Sequence, residues 1–386
     1  GSTGGGVAKI RDCSEFAGAD AGAKIAACIA ALPSTGGTAD ARGFEGTQTI
    51  SSDPFAGVTK PVTLLCGHAT FNTSVVITVP SSVKIEGSYW LQCSFKASVA
   101  LARVLDGRNS TGVVLRDFTV DGNALASRGI DLANTTAGTA ASNLIDHVDV
   151  EGTTVYAFDL DNNGDTYFEN NLARNLTSGD SLRWVNTGGN NIIRNFFSPS
   201  NKAVMGFQTA TVDSSTIKGI QIIENSRHLE IYNGYIYADA TLSAAISVEA
   251  GNELVQLDSY GTRFELLLAA DRAIDGKFVT GLFFSNPFFN DVNNVATGVF
   301  GSTFGPVSSD IKMTIVGGAV STPADPPWNP PSGVDVNYMN FVPTSGVFEN
   351  SGVLGSTKLT GQGTTVLTGS ANPTASTTLV GVGTLF

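Results

Sequence analysis

The sequence is poor in charged side chains and contains no long hydrophobic run. Charged residues make up 15% of the 386 residues, and 34 acidic against 22 basic side chains give a formal net charge of −12. This acidic balance disfavours nucleic acid as a partner, because phosphate binding depends on basic patches. No run approaches the roughly 18 apolar residues that a membrane-spanning helix needs. The sequence predicts neither a nucleic-acid-binding protein nor a membrane span.

Cysteine is scarce, and its spacing does not fit a metal site. The four cysteines, Cys13, Cys28, Cys66 and Cys93, form no Cys-x-x-Cys pair. Zinc ligands usually occur in such pairs. We predict the disulfides Cys13–Cys28 and Cys66–Cys93, as in exported proteins. Two other pairings and free thiols stay open as alternatives. The expected location is extracellular, or the surface of a cell or virion.

Helical periodicity appears in one place. Asp20 precedes an Ala-rich run over 21–32 that carries apolar residues on one face, and Pro33 follows it. An acidic residue before such a run is a common N-cap, and proline ends a helix. The remaining sequence consists of short apolar stretches separated by Gly, Asn, Asp and Ser. It therefore predicts one helix followed by strands.

The apolar stretches repeat in two columns. In the first, a large apolar residue is followed by a polar residue and a turn-forming residue, with spacings of 23 to 30 residues, at Ile85, Leu115, Ile145, Phe168, Ile193 and Ile223. The second column alternates apolar and polar residues around Ile130, Phe158, Leu182 and Phe207. Columns at a steady period indicate a solenoid, in which each coil lies on the one before. A β-sandwich would show hairpin turns every 8–12 residues instead.

These features predict an all-β chain that forms a right-handed, single-stranded parallel β-helix with an N-terminal capping α-helix. We expect a flexible start at 1–12, a cap at 13–50 and the β-helix at 51–290. Residues 291–386 are expected to hold further strands, a Pro-rich loop at 323–331 and a low-charge tail. An open solenoid end exposes core and unpaired backbone, so it needs a cap.

Three stretches resemble the pectate-lyase-like superfamily of right-handed parallel β-helix proteins. They are the cap-like sequence at 18–37, the phrase at 115–123 and the coils at 178–193. The superfamily includes polysaccharide lyases, polygalacturonase-like hydrolases and phage tailspikes, so the resemblance implies this fold and a polysaccharide substrate. The chain departs from the polygalacturonase pattern, since it has no Gly-His-Gly and Ser181 follows Asp180.

The outward positions of the second column supply the candidate site. Asp131, Asp159, Arg183 and Gln208 should stack about 4.8 Å apart in successive coils. Stacked carboxylates repel one another, and a hard cation such as Ca²⁺ on Asp131, Asp159 and Asp161 would relieve the conflict. In a lyase, calcium would neutralise a uronate and Arg183 would take its proton, a role that the resemblance implies. In a hydrolase, Asp159 with Asp180, or Asp131 with Asp159, would supply the two carboxyl groups.

Other polar and aromatic residues extend the hypothesis. Tyr235 and Tyr237 share a strand face and are candidates for sugar binding together with Asp131 and Gln208, whereas Trp184 should point inward. A second acid–base cluster of Glu224, Arg227, His228 and Glu230 is either an alternative site or a surface ion-pair strand.

The sequence thus favours an exported enzyme that cleaves an acidic polysaccharide by β-elimination at a uronate. One alternative is a glycoside hydrolase that uses paired Asp residues on the same face. Another is a non-catalytic, glycan-binding or tailspike-like protein. The expected oligomeric state is a monomer or a homotrimer.

Overall fold

The computed structural model describes residues 9–89, 92–135, 139–239, 242, 244–267 and 272–291, and short strands between 305 and 380. The chain forms two compact units, residues 1–201 and 202–386. No helix in the described part of the chain is long and apolar enough to cross a membrane. The predicted Pro-rich loop at 323–331 lies outside the described residues.

The first unit holds one α-helix, α1 (Ala21–Ala30), a single 3-10 turn (Cys13–Glu15) and nineteen strands among its described residues. The strands are β1 Ile10–Asp12, β2 Gly37–Ala41, β3 Gly46–Ile50, β4 Val62–Cys66, β5 Ala69–Thr73, β6 Ile77–Thr78, β7 Val83–Gly87, β8 Ser94–Ala97, β9 Leu101–Asp106, β10 Val114–Asp121, β11 Ala126–Asp131, β12 Thr139–Ala140, β13 Leu144–Glu151, β14 Tyr156–Asp159, β15 Asn163–Gly164, β16 Tyr167–Glu169, β17 Leu172–Arg174, β18 Asp180–Arg194 and β19 Phe197–Ser198.

The second unit is also built from short strands. They are β20 Ala203–Asp213, β21 Thr216–Ile217, β22 Ile220–Ile222, β23 Ser226–Tyr232, β24 Tyr235–Ala238, β25 Ile246–Val248, β26 Leu254–Tyr260, β27 Arg263–Leu266, β28 Ile274–Asp275, β29 Lys277–Ser285, β30 Phe288–Asp291, β31 Gly305–Pro306, β32 Lys312–Val316, β33 Ala319–Ser321, β34 Asp335–Met339, β35 Val342–Pro343, β36 Phe348–Glu349, β37 Lys358–Thr360, β38 Leu367–Thr368 and β39 Thr378–Val380.

The strands of the first unit pair in parallel and in the register that the repeat predicts. In the first column, Leu115 pairs with Ile85 below and Ile145 above, and Ile145 pairs with Phe168. In the second, Ile130, Phe158 and Leu182 occupy matching positions of β11, β14 and β18. The predicted parallel β-helix fold is therefore confirmed.

Each coil has three strand columns, one more than the sequence predicted. The middle column comprises β3, β5, β8, the second half of β10, the second half of β13, β17 and β19. It was missed because β10 and β13 each serve two columns. Asp117 and His147, at the middle of these strands, adopt positive φ angles of 61° and 54°. A single left-handed residue turns the chain and interrupts the strand pairing at one position only. The two columns therefore look like one continuous strand in the sequence.

The interior of the first unit is a stack of apolar side chains. Phe71, Phe95 and Phe118 lie in contact, with ring centroids 5.5 and 5.6 Å apart, and all three are buried. Because in-register coils place equivalent residues above one another, each apolar inward position extends one continuous core. This core is the main source of the unit's stability.

Helix α1 lies against β1, β2 and β3 and covers the start of the coils. Asp20 Oδ1 accepts the Ala23 amide hydrogen at 2.8 Å, and Ile25, Cys28 and Ile29 are buried. The predicted capping helix is confirmed, although it ends at Ala30 and not at residue 32. The cap boundary at residue 50 stays a prediction, and β2 and β3 already pair with β4 and β5.

Two disulfides fix the beginning of the chain. Cys13 is bonded to Cys28 and Cys66 to Cys93, as predicted. The first joins the 3-10 turn to α1, and the second joins β4 to the segment before β8. Such cross-links stabilise mainly by restricting the unfolded chain.

The second unit repeats the same principle. One ladder runs through β20, β23, β26, β29 and β32, and a second runs through β21, β24, β27 and β30. All these pairings are parallel, and the registers keep inward residues in line, for example Leu229 with Leu257 and Leu282.

Asparagine side chains tie neighbouring coils together at the corners. Buried Asn171 accepts the Val148 amide hydrogen and donates to the Ile145 carbonyl, both at 2.9 Å. At the exposed corner, the Asn195 amide donates to Asn170 Oδ1 at 2.8 Å. Residues Asn170 and Asn195 have positive φ angles, which asparagine tolerates better than most residues. Asparagine side chains therefore link successive coils at both a buried and an exposed corner.

Asn171→Ala should lower the thermal unfolding midpoint. The substitution leaves the buried Val148 N–H without its acceptor, which costs about 1–3 kcal/mol. Calorimetry of the variant beside Thr177→Ala, an exposed position in the same coil, tests the point. Equal midpoints for the two variants would contradict a structural role for the asparagine bridge.

Candidate active site

The predicted outward column of the first unit is in register. Asp131 pairs with Asp159, and Asp159 pairs with Arg183, on β11, β14 and β18. Asp106 of β9 extends the column below Asp131. Asp131 and Asp159 are each 2% exposed, so the two carboxylates are stacked in a nearly dry environment.

Arginines neutralise this column, and we call the resulting set the Asp–Arg ladder. It comprises Asp106, Asp131, Asp159, Asp161, Arg103, Arg128 and Arg183. Arg103 Nη1 lies 3.0 Å from Asp131 Oδ2, and Arg128 Nε lies 2.7 Å from Asp159 Oδ2. Arg183 Nη1 lies 3.2 Å from Asp159 and 2.9 Å from Asp161. Every acidic member therefore has a guanidinium partner.

The electrostatics follow from burial and pairing. Burial, followed by the neighbouring Asp159 carboxylate, raises the pKa of Asp131, although Arg103 and Arg128 act in the opposite direction. Burial lowers the pKa of Arg183, but the carboxylates of Asp159 and Asp161 outweigh it and raise that pKa. The Tyr156 ring lies 5.4 Å from the Arg128 guanidinium carbon and 5.7 Å from that of Arg183, and so covers both arginines.

Sequence reasoning missed Arg103 of β9 and Arg128 of β11, which are paired with each other in the register of these strands. They precede Asp106 and Asp131 by three residues, and this i, i+3 spacing was the available signal. Their guanidinium groups already satisfy the carboxylates that calcium would need. The donor set on Asp131, Asp159 and Asp161 therefore fits an ion-pair network better than a calcium site, although calcium binding there stays a prediction.

Two further residues named in the sequence analysis, Asp180 and Trp184, lie away from the Asp–Arg ladder or are buried. Strands β14 and β18 pair Tyr156 with Asp180 and Asp159 with Arg183. The two pairings lie three residues apart along the strands. At about 3.3 Å per residue, this offset places the Asp159 and Asp180 backbones about 10 Å apart along the strand. Trp184 is fully buried, as predicted, and its Nε1 donates to the Asn163 carbonyl at 2.9 Å.

In the second unit, Gln208 is exposed on β20. Tyr235 and Tyr237 lie side by side on β24, with ring centroids 5.7 Å apart. Burial, followed by a hydrogen bond to Glu265, raises the pKa of Tyr235 above its usual range. Burial raises the pKa of Tyr237 to about 12, with Asp239 and Glu265 contributing. The Arg263 guanidinium covers Tyr235 at 5.4 Å, so this tyrosine pair is partly occupied by protein.

A more polar cluster lies on the outward face of β23 and β26. His228 Nε2 is 2.9 Å from Asp258 Oδ2 and 3.9 Å from Glu230 Oε1. The nearest ligand atoms of these three side chains all lie within 4.8 Å of one another. We call this group the His228 cluster. Its members differ in exposure, since the side chains of His228 and Glu230 are 30% and 32% exposed and that of Asp258 is 11% exposed.

Neighbouring side chains hold the cluster in place. Gln256 Nε2 donates to both Asp258 oxygens at 2.9 Å, and Thr211 donates to Glu230 at 3.4 Å. Tyr232 also hydrogen-bonds to Glu230. Its ring stacks on that of Tyr260, with centroids 4.7 Å apart and planes at 6°. These rings cover each other's faces, and the hydroxyl group of Tyr232 contacts the cluster at Glu230.

The sequence contained a signal for Asp258. The outward residues His228, Glu230 and Tyr232 recur 28 positions later as Gln256, Asp258 and Tyr260, and the structure pairs them in that register. Glu224, predicted beside His228, lies against Gly206 instead, where an added Cβ would come within 2.5 Å of Glu224 Oε2. The alternative cluster proposed from the sequence is therefore centred on Glu230 and Asp258 and not on Glu224.

Comparison with known proteins gives one structural likeness. No family model matches the chain, and no curated protein matches it. Among solved structures, the chain is similar to the A-module of mannuronan C-5 epimerase AlgE4 from Azotobacter vinelandii. The two share 11% sequence identity over 96% of each chain, with a TM-score of 0.37.

Asp159→Asn should lower the thermal unfolding midpoint. The change removes the charge that Arg128 and Arg183 share, and losing such a charged contact costs about 2 kcal/mol. Asp165→Asn is the matched control, because Asp165 is exposed and its positive φ suits asparagine. A midpoint for Asp159→Asn that equals that of the control would show that the ladder is not structural.

Proposed function

We propose that the chain cleaves glycosidic bonds of an extracellular polysaccharide and that the His228 cluster is its active site. The observation that supports this most is the contact between His228 and Asp258 beside the exposed carboxylate of Glu230. A solenoid offers an extended surface along its axis, where a polymer has room to lie. The two disulfides suit an oxidising compartment, where such substrates occur.

In this proposal His228 gives a proton to the glycosidic oxygen as the bond from that oxygen to the anomeric carbon breaks. A water molecule then adds to the anomeric carbon and returns a proton to His228. Asp258 holds Nε2 and so fixes the orientation of the ring, while Nδ1 is left for exchange with the glycosidic oxygen. A carboxylate behind a histidine orients the imidazole and stabilises its protonated form. Because both oxygens of Asp258 accept from Gln256, the carboxylate cannot rotate away from the ring.

Glu230 supplies the second group that the reaction needs. Glycoside hydrolysis passes through a positively charged, oxocarbenium-like transition state, which a nearby carboxylate stabilises. The Glu230 oxygen lies 3.9 Å from His228, so both groups reach the same sugar residue. Thr211 and Tyr232 restrict the side chain of Glu230 to this position.

We favour hydrolysis over β-elimination at this site. Elimination at a uronate requires a positive charge beside the substrate carboxylate, whereas Glu230 and Asp258 place negative charge there. The uronate lyase predicted for Asp131, Asp159 and Arg183 stays an alternative. The side chains of Arg128 and Arg183 are exposed by about a quarter, but both already bind aspartates.

Glu230→Gln should lower turnover by about 10²-fold or more without lowering the unfolding midpoint, because it keeps the shape and removes a charge that Asp258 opposes. The assay uses neutral and acidic polysaccharides and follows reducing ends together with the ultraviolet absorbance of unsaturated products. Glu253→Gln, a carboxylate of the same unit outside the cluster, is the control.

The same panel separates the alternatives. Unsaturated products that disappear in Arg183→Lys, with Glu230→Gln fully active, would place the chemistry in the Asp–Arg ladder. If the unmodified protein binds a glycan of the panel but cleaves none, the proposal of an enzyme is wrong and a glycan-binding protein is the better interpretation.

A further inference from the structure

The His228 cluster combines ligands that transition metals accept. An imidazole nitrogen and two carboxylate oxygens come from two paired strands, and the three atoms lie within 4.8 Å of one another. We propose that these side chains bind one divalent transition-metal ion, of which Zn²⁺ is the representative, and that the bound ion inhibits the enzyme. The inhibitory part rests on the proposed function, whereas the binding part does not.

The charge of the cluster favours a divalent cation. Glu230 and Asp258 carry two negative charges in directly paired positions of β23 and β26. Their described side-chain partners are His228, Gln256, Thr211 and Tyr232, and none of these is a lysine or an arginine. In the Asp–Arg ladder, by contrast, arginines compensate the stacked carboxylates. A divalent ion would balance the two charges of the cluster.

The distances suit a small ion with nitrogen and oxygen ligands. Zinc binds both at about 2.0–2.2 Å, so two ligands of a tetrahedral site lie about 3.4 Å apart. The separations of 2.9 and 3.9 Å from His228 Nε2 lie on either side of this value. Calcium instead prefers six to eight oxygen ligands, which makes an imidazole a poor contribution.

The surroundings would support the ligands once an ion is bound. Gln256 donates to Asp258, and Thr211 donates to Glu230, so both carboxylates are oriented by a second layer of hydrogen bonds. Such outer contacts typically contribute 10–100-fold to metal affinity. The parallel register of β23 with β26 fixes the spacing of the two ligand-bearing backbones.

Metal binding and proton transfer compete for the same imidazole. The ion would take the Nε2 lone pair and replace the hydrogen bond to Asp258, and it would also occupy the Glu230 carboxylate. With the ion bound, neither His228 nor Glu230 is free to approach a sugar. The structure therefore assigns the ion an inhibitory role and not a catalytic one.

The test uses the full chain, treated with a chelator and then dialysed, in a background in which the other two histidines are removed by His68→Asn and His147→Asn. His147 is the structural decoy, because its Nδ1 lies 3.7 and 3.6 Å from Asp117 and Asp146 on an exposed corner. Asparagine also suits the positive φ of residue 147. Titration calorimetry with ZnCl₂ measures stoichiometry, and the visible spectrum of added Co²⁺ reports nitrogen and oxygen ligation.

We expect one Zn²⁺ per chain, a higher unfolding midpoint with Zn²⁺ and at least about tenfold weaker binding after His228→Gln or Asp258→Asn. Unaltered binding in both variants, or no saturable site in the background protein, would overturn the proposal. Loss of binding without loss of the folded state is verified by the near-ultraviolet spectrum of each variant.

The two proposals fail separately. One-site binding that depends on His228, in a protein that cleaves no glycan, keeps the metal site and removes the proposed function. Cleavage that depends on His228, with no metal bound and no inhibition by Zn²⁺, keeps the function and removes the metal site.

Discussion

Parallel, in-register stacking is the constraint on which the rest of the structure depends. Each strand lies about 4.8 Å above the corresponding strand of the preceding coil. Every outward or inward position therefore has an equivalent residue directly above and below it. Inside, this geometry is favourable, because apolar residues such as Phe71 and Phe95 stack into one core. Outside, the same geometry brings like charges together, and like charges in paired positions destabilise a sheet. Charged columns therefore need compensation.

The two polar columns meet this requirement differently. In the first unit, Arg103, Arg128 and Arg183 are interleaved with the aspartates, so each aspartate of the ladder has a guanidinium partner. In the second unit, Glu230 and Asp258 are paired directly, and among the described residues their side-chain partners are His228, Gln256, Thr211 and Tyr232. A departure from the compensation rule is a mark of a functional site, since function is the usual reason to retain such a conflict.

The sequence predicted the fold well because the stacking constraint is visible as a period. Equivalent residues such as Leu115 and Ile145 must recur at the length of one coil, and this regularity survives variation in the turns. The sequence did not predict the third strand column, because two columns run through the same strands, β10 and β13. Asp117 and His147 turn the chain inside single strands with a left-handed backbone conformation. Glycine at these positions would have indicated such a conformation in the sequence, whereas aspartate and histidine do not.

The candidate site was harder to predict because charge compensation is a property of side-chain reach, which spacing alone does not give. Asp131, Asp159 and Arg183 were placed in one column correctly. The missed arginine partners of the two aspartates come from an offset position on the strand of the preceding coil. Asp258 was missed for a different reason, since its signal requires comparing outward residues between coils. The apolar repeat first shows which coils are neighbours. The pairing of Glu230 with Asp258 can be recognised in the sequence only after this step. Reading the outward columns for uncompensated charge, after the inward columns have set the register, is therefore the step that leads from the fold of a solenoid to its site.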